Sequence, residues 1–103
     1  MVKYDTFEER AEVYKEAQKR WGIESQIIIS IEELSELITV LCKRNRNLNG
    51  VDKDKIIDEI ADAMVMIEHL QIIFGKEECE ERQRYKVARL KSWFKDVKKM
   101  IEE

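Results

Sequence analysis

The chain has 103 residues, of which 44% are hydrophobic and 40% are charged, and it contains no proline and only three glycines. This length suits one domain, or one subunit of an assembly that would enlarge its modest core. The formal net charge of −3 excludes the electrostatic footprint of a nucleic-acid-binding domain, and the longest apolar run is too short to cross a membrane. Such a composition favours long helices over sheet.

A cytoplasmic protein is expected from two further features. The N-terminus leads from Met1 straight into charged residues, without the pattern of a signal peptide. Cys42 and Cys79 have neither CxxC spacing nor a histidine partner, which indicates free thiols in a reducing compartment.

The first predicted helix begins at a capping box formed by Thr6 and Glu9 and ends near Trp21, before Gly22. Its apolar side has helical spacing and is expected to face a partner: Phe7, Ala11, Tyr14, Ala17 and Trp21. Ser25 is the expected N-cap of the second helix.

The second helix is predicted from about Glu24 to Arg44 and carries two stripes. One is an apolar packing seam: Ile27, Ile31, Leu34, Ile38 and Leu41. The other mixes acidic with apolar residues: Ile29, Glu33, Glu36, Val40 and Lys43. Glu33 and Glu36 are therefore neighbours one turn apart, with an apolar residue above and below.

After a loop over residues 45–50, Asp52 or Asp54 can cap a third helix that stops at Gly75. Its main seam is apolar: Ile56, Ile60, Ala63, Ile67, Leu70 and Phe74. A second stripe lies about 80° away and contains Glu59, Asp62, Met66, His69 and Ile73. With apolar residues on further sides, this helix is expected to be central and nearly surrounded.

A fourth helix is predicted from about Glu77 to the end of the chain. Its apolar side contains Val87, Leu90, Trp93, Phe94, Val97, Met100 and Ile101. Four helices with short connections predict one all-α domain over residues 1–103, a four-helix bundle around an antiparallel hairpin of the second and third helices.

The hairpin is expected to bring four carboxylates to one level: Glu33, Glu36, Glu59 and Asp62. Glu36 lies roughly 12 Å from the connecting loop, and the acids of the third helix lie roughly 8 to 15 Å from it. Hard oxygen ligands of this kind suit Mg²⁺ or Mn²⁺. Zinc and a ferritin-like di-iron site are disfavoured, because His69 is the only histidine.

A plain solvated helix face is the alternative for each motif alone, since acidic residues are frequent in this chain. The shared level and the apolar settings of the two motifs favour one site. Basic side chains near the acidic stripes are scarce, with Lys43 and Lys55 the nearest, which also favours a cation.

In order and spacing, these residues resemble the MazG-like proteins of the all-α nucleoside triphosphate pyrophosphatase superfamily. The resemblance rests on Glu32-Glu33-x-x-Glu36 followed by Glu59-x-x-Asp62, with Trp21-Gly22 and Gln26 ahead and Lys43 between them. It covers about Trp21 to Gly75.

The resemblance implies Mg²⁺-dependent hydrolysis of a nucleoside triphosphate to a monophosphate and pyrophosphate. By position it implies four metal ligands, Glu33, Glu36, Glu59 and Asp62, while Glu32 would orient water or an outer ligand. It also implies a homodimer or a homotetramer whose neighbouring subunit completes the site.

On the substrate side, Lys43, and less directly Arg46, would reach the phosphate tail. Trp21 and Gln26 would line the base pocket, with core packing the alternative for Trp21. We interpret His69 as a buried or interface histidine. Two other functions stay open: a non-catalytic helical oligomer that binds a partner, and the same metal site acting on another phosphoanhydride.

Overall fold

The computed structural model describes residues 3–46 and 51–102, with the side chains of 95–100 and 102 excepted. Within these ranges the regular elements are four α-helices: α1 Phe7–Trp21, α2 Ile23–Asn45, α3 Lys53–Phe74 and α4 Lys76–Glu102. The predicted all-α class is therefore confirmed. Of the predicted loop, Asn45 ends α2 and Arg46 follows it, while residues 47–50 lie outside the described part.

The ends of α1 and α3 are set by the residues that the sequence indicates. The Glu9 amide donates to Thr6 Oγ1 at 3.1 Å, and the Thr6 amide donates back to Glu9 Oε1 at 3.3 Å, which completes the capping box. Gly22 ends α1 with φ at +86°, a conformation that favours glycine. Asp52 caps α3 by accepting the Lys55 amide at 2.8 Å.

The prediction that Ser25 caps α2 is wrong. The helix starts earlier, with Gly22 as its N-cap. The Ser25 hydroxyl donates instead to the carbonyls of Trp21 and Gly22, at 2.6 and 3.0 Å. Serine can bond to the preceding turn as readily as to a following amide, so its presence near a helix start does not fix its role.

Helices α2 and α3 form the predicted antiparallel hairpin. Ser30 Oγ donates to Met66 Sδ at 3.5 Å, while Glu33, one turn further along α2, meets Glu59, about two turns earlier on α3. The side chains between the helices are buried or half-buried. On α2 they are Gln26, Ser30, Glu33, Leu37 and Val40, and on α3 they are Glu59, Ala63, Met66, Leu70 and Ile73.

Several large residues of the predicted apolar seams remain exposed in this chain. On α2, Ile31 and Ile38 are 60% and 62% exposed, and on α3 Phe74 is 68% exposed. On α2 the surface that meets α3 is rotated about 100° from the predicted seam, whereas on α3 the inner surface shares Ala63 and Leu70 with the predicted seam. The small residues Ser30 and Ala63 let the two helices approach closely. Periodicity identifies the most apolar side of a helix, but it does not show what covers that side.

Helix α1 packs across α2 and α3 through its predicted face. Ala11 and Tyr14 are buried, and the Tyr14 ring stacks on His69 with the centroids 5.3 Å apart. His69 is 2% exposed, so its predicted burial is confirmed, although its buried Nε2 has no hydrogen-bond partner among the described residues. Trp21 is 66% exposed, which excludes the core-packing alternative within this chain.

Helix α4 packs against the end of α3 and then extends away from the other helices. At its start the Lys76 ammonium lies 4.6 Å from the centre of the Phe7 ring. Every side chain from Glu81 to Phe94 is exposed, including Val87 and Leu90 of the predicted apolar side. The side chains of Val97 and Met100 lie outside the described part. The radius of gyration is 17.9 Å, against about 13 Å for a compact domain of this length.

The two cysteines and the apolar character of the helices also bear on predictions from the sequence. Cys42 and Cys79 are free and exposed, as predicted. None of the helices described here combines the length and the apolar character of a membrane span.

Candidate metal site

Three carboxylates from two helices converge in the middle of the hairpin. Glu33 comes from the inner side of α2, while Glu59 and Asp62 lie one turn apart on α3. One oxygen from each lies within 4.8 Å of the other two. Glu59 is buried, Glu33 is half-buried and Asp62 is exposed, so the cluster reaches from the helix interface to the solvent.

The chain supplies little positive charge to this acidic cluster. Lys55, one turn before Glu59 on α3, places its Nζ 3.1 Å from Glu59 Oε1. The pairing raises the pKa of Lys55, mainly through this hydrogen bond. The second oxygen, Glu59 Oε2, is buried and accepts no hydrogen bond from any described residue. A buried carboxylate oxygen without a hydrogen-bond donor costs free energy. A cation or a donor next to Glu59 Oε2 would remove that cost.

The same shortage of positive charge appears at Glu33. Burial raises the pKa of the Glu33 carboxyl above its usual range, and the charges of Glu36, Asp62, Glu59 and Glu32 raise it further, in that order. Glu36 and Glu32 are exposed and lie outside the group of three, but they are near enough to add to its negative field.

The donor set fits a hard divalent cation. Carboxylate oxygens are the ligands that Mg²⁺ and Mn²⁺ prefer, and at a bond length of about 2.1 Å two ligands of one ion lie about 3 to 4.2 Å apart. The three carboxylate oxygens lie within 4.8 Å of one another, an upper limit about 0.6 Å beyond that range. Exposed acidic groups also cluster without any ion, so the orphaned Glu59 oxygen is the more specific signal.

The predicted phosphate-binding residues lie apart from the acidic cluster. Lys43 is exposed near the end of α2, seven residues after Glu36, which is about 10 Å along the helix axis. Arg46 is exposed and follows α2 directly. Neither forms an ion pair with a described carboxylate, so both remain free to meet an anionic ligand.

The predicted base-pocket residues lie at the opposite end of α2. Gln26 is 5% exposed on the inner side of α2, and its Nε2 lies 3.3 Å from Ser25 Oγ. It precedes Glu33 by two turns, about 10 Å. Trp21 ends α1 with its ring in solvent. The structure thus brings Glu33, Glu59 and Asp62 together, and it places the predicted substrate residues near the two opposite ends of α2.

Sequence reasoning missed a second acidic centre, half-buried between α1 and α3. The Arg10 guanidinium donates to both oxygens of Glu68, at 2.8 and 2.9 Å, and the Tyr14 hydroxyl donates to Glu68 Oε1 at 2.7 Å. The hydrogen bond from Arg10 is the main reason that the pKa of Glu68 lies below its usual range. Arg10 and Glu68 are 58 residues apart in sequence, and no local pattern connects them.

Comparisons of the chain with protein-family models, with characterised proteins and with solved structures give no match.

Proposed function

We propose that the chain is a Mg²⁺-dependent nucleoside triphosphate pyrophosphohydrolase of the MazG-like, all-α type, which hydrolyses (d)NTPs to monophosphate and pyrophosphate. The observation that carries the proposal is the convergence of Glu33, Glu59 and Asp62, together with the buried Glu59 Oε2, which has no hydrogen-bond partner among the described residues. The acids come from the two motifs that the family resemblance names, in the same order and spacing. The proposal includes a cytoplasmic location, as the sequence predicts.

Because the acidic cluster is negatively charged, it would bind a divalent cation. Glu33, Glu59 and Asp62 would hold the ion, and Glu36 would swing in from the rim as a fourth ligand. A bound Mg²⁺ supplies positive charge against the phosphates and lowers the pKa of a nearby water molecule. Mn²⁺ has similar ligand preferences and would substitute for Mg²⁺.

The remaining acid and the basic residues take the other steps. Glu32, on the exposed side of Glu33, would orient the attacking water and accept its proton. The departing pyrophosphate would be neutralised by Lys43, which lies beyond Glu36 on α2, and by Arg46, which follows α2 directly. Both are free of competing ion pairs within the described chain, which supports this role.

At the N-terminal end of α2, Gln26 and Trp21 are proposed to recognise the base. Gln26 would hydrogen-bond to the base edge from the inner side of α2, and the exposed Trp21 ring would stack on the base. Because Gln26 and Lys43 lie on opposite sides of the acidic cluster along α2, an extended nucleotide would span the cluster with its phosphates at the metal.

The test is pyrophosphate release from a panel of NTPs and dNTPs with Mg²⁺. Wild type is expected to be active on at least one substrate, and Glu33→Gln and Asp62→Asn are expected to lose about 100-fold or more. Glu68→Gln is the matched control, because it removes a carboxylate outside the cluster and should keep the turnover at temperatures where it is folded. Inactive wild type, or fully active cluster variants, would refute the proposal.

A second candidate is a non-catalytic helical oligomer that binds a protein partner. The observation that favours it is the exposure of large apolar residues on all four helices, such as Ile38, Phe74 and Phe94. Melting with and without Mg²⁺ separates the two, because an oligomer without a metal site gains no stability from the ion. The same metal site acting on another phosphoanhydride would appear as activity outside the NTP panel.

A further inference from the structure

Positive charge is concentrated in the second half of α4. Residues 82–101 hold eight of the 19 Lys and Arg residues of the chain and one of its 22 acids, so they carry a net charge of +7. The other 11 basic and 21 acidic residues give the rest of the chain a net charge of −10. We call residues 82–101 the basic segment, since the formal net charge of −3 conceals how basic this part of the helix is.

The basic segment extends away from the other helices, with its side chains in solvent. Every side chain from Glu81 to Phe94 is exposed, and so is that of Ile101. All ion pairs formed among the described residues lie outside this segment. At 1.5 Å per residue, the segment is about 30 Å long. Its charges and its apolar side chains are therefore available to a partner outside the chain.

The basic segment has one apolar side. At 100° per residue, its large apolar side chains that the structure describes fall within an arc of about 120°. Their exposed fractions run from 47% to 79%. They are Val87, Leu90, Trp93, Phe94 and Ile101. A contiguous exposed apolar surface of this kind marks a place where a partner binds.

Within residues 82–94, the basic side chains border this apolar arc on both sides. They are Arg84 and Lys91 on one border and Arg82, Lys86 and Arg89 on the other. The Arg89 guanidinium lies 5.5 Å from the centre of the Trp93 ring, at the edge of the arc. Long basic side chains in such a position cover apolar surface with their stems and keep their charged heads in a polar layer. The arrangement suits a partner that is apolar in its interior and anionic at its surface.

A second copy of the segment is a poor partner for the apolar arc. Val87 and Leu90 have the spacing of coiled-coil core positions, and the positions that flank such a core hold Arg84, Lys86 and Lys91. Two paired segments would therefore bring like charges together in both the parallel and the antiparallel arrangement. A nucleic acid would offer phosphates to the basic borders, but its backbone offers no apolar surface to the arc between them.

We propose that the basic segment binds the surface of an anionic lipid bilayer. The apolar arc enters the boundary between headgroups and acyl chains, and the basic borders pair with lipid phosphates. Trp93, at the edge of the arc, is placed at the level of the headgroups, where tryptophan is favoured. Nine charged residues in this segment exclude a helix that crosses the bilayer, so the segment lies in the plane of the surface. This inference does not depend on the proposed function.

The experiment measures binding of the full chain to lipid vesicles by flotation. Vesicles of phosphatidylcholine with about one third phosphatidylglycerol are compared with vesicles of phosphatidylcholine alone. Wild type is expected to float with the anionic vesicles and to bind the neutral ones about 100-fold more weakly or less. High salt should weaken binding to the anionic vesicles, because it screens the attraction between Lys or Arg and the lipid phosphates.

Leu90→Glu and Ser92→Glu are matched variants, because each adds one negative charge and the two positions lie on opposite sides of the helix. Leu90→Glu is expected to weaken binding to anionic vesicles about 100-fold or more, since it also removes an apolar side chain from the arc. Ser92→Glu is expected to weaken it about fivefold. In a Trp21→Phe background, Trp93 is the only tryptophan, and its emission should shift to shorter wavelength when the chain binds.

Each other outcome counts against the proposal. It is overturned if wild type does not bind anionic vesicles, if it binds neutral vesicles equally well, or if the two variants lose binding equally. Trp93 emission that stays unchanged in the vesicle-bound chain overturns it as well. Binding to double-stranded DNA without binding to vesicles would assign the segment to nucleic acid instead. If circular dichroism shows that Leu90→Glu has lost helix, Val87→Gln, in the same arc, is compared with Ser92→Gln.

Discussion

Glu59 and Glu68 lie nine residues apart on α3, and the chain surrounds these two acids in opposite ways. Glu68 accepts three hydrogen bonds, two from Arg10 and one from Tyr14. Glu59 forms an ion pair with Lys55 and has two acids beside it, and its buried Oε2 accepts no hydrogen bond from the part of the chain that the structure describes. The hydrogen bonds of Glu68 stabilise the packing of α1 on α3, whereas the setting of Glu59 is the one that the proposed metal site requires.

Replacing each glutamate by glutamine should produce the largest contrast. Without metal, Glu68→Gln is expected to lose about 1–2 kcal/mol of stability after allowance for partial exposure, because Arg10 loses its charged acceptor. Glu59→Gln is expected to keep or raise the stability, because it removes a charge from a repulsive group. Urea unfolding at neutral pH with EDTA measures both, and equal losses in the two variants would remove the distinction.

Tyr14→Phe tests the Glu68 side alone. The substitution keeps the stacking on His69 and removes the 2.7 Å hydrogen bond to Glu68. The expected cost is about 1 kcal/mol, or a fall of about 4–8 °C in Tm for a chain of this size. Tyr14→Phe should leave metal binding by the acidic cluster unchanged. If Mg²⁺ no longer stabilised this variant, the Glu68 contacts and the acidic cluster would be coupled.

Lowering the pH should change the contributions of Glu68 and Glu33 to the stability of the fold in opposite directions. The pKa of Glu68 is lowered from 4.5, so its stabilising contribution is complete above pH 4.5 and disappears as the pH falls through the lowered value. The pKa of Glu33 is raised from 4.5, so its carboxylate destabilises the fold above the raised value, and this penalty disappears as the pH falls towards 4.5.

Unfolding of Glu33→Gln and Glu68→Gln from pH 7 to 3 checks this. Glu33→Gln should be more stable than wild type at pH 7, and the two stabilities should become equal by about pH 4.5. The deficit of Glu68→Gln should persist to that pH and shrink only below it. His69, whose pKa burial lowers, is present in all three proteins and cancels in the differences. If the stability differences of the two variants from wild type had the same pH dependence, the opposite roles assigned to Glu33 and Glu68 would be contradicted.

The smallest expected effect concerns Lys55. Its ammonium occupies one oxygen of Glu59 and repels a cation, so Lys55→Gln should bind Mg²⁺ more tightly than wild type in a calorimetric titration. Lys53→Gln, at an exposed position two residues earlier, is the control and should change the affinity less. Weaker binding in Lys55→Gln would mean that the lysine helps to build the site.

Local signals predicted much of this structure. The Thr6–Glu9 capping box and the stops at Gly22 and Gly75 depend on residues within one turn and were predicted correctly. Asp52, the cap of α3, was one of two predicted candidates, with Asp54 the other. The convergence of Glu33 with Glu59 and Asp62 followed from helix length and a short loop.

The misplaced features depend on distant partners. The apolar seam of α2 was predicted to pack, but its residues Ile31 and Ile38 are not covered within the described chain. The Arg10–Glu68 pair joins residues from different helices that share no motif. The exposed Trp21 was ambiguous for the same reason, since a large aromatic residue suits a core, an interface and a ligand equally.

Thermal melting with and without Mg²⁺ tests most directly the central claim that the acidic cluster is a divalent-cation site. Wild type should gain stability with MgCl₂ over NaCl of equal ionic strength, by about 2.7 kcal/mol at one hundred times the dissociation constant. Glu59→Gln should lose that gain, and Glu68→Gln, although less stable, should keep it. An identical Tm of wild type in the two salts, or an equal gain in Glu59→Gln, would contradict the account.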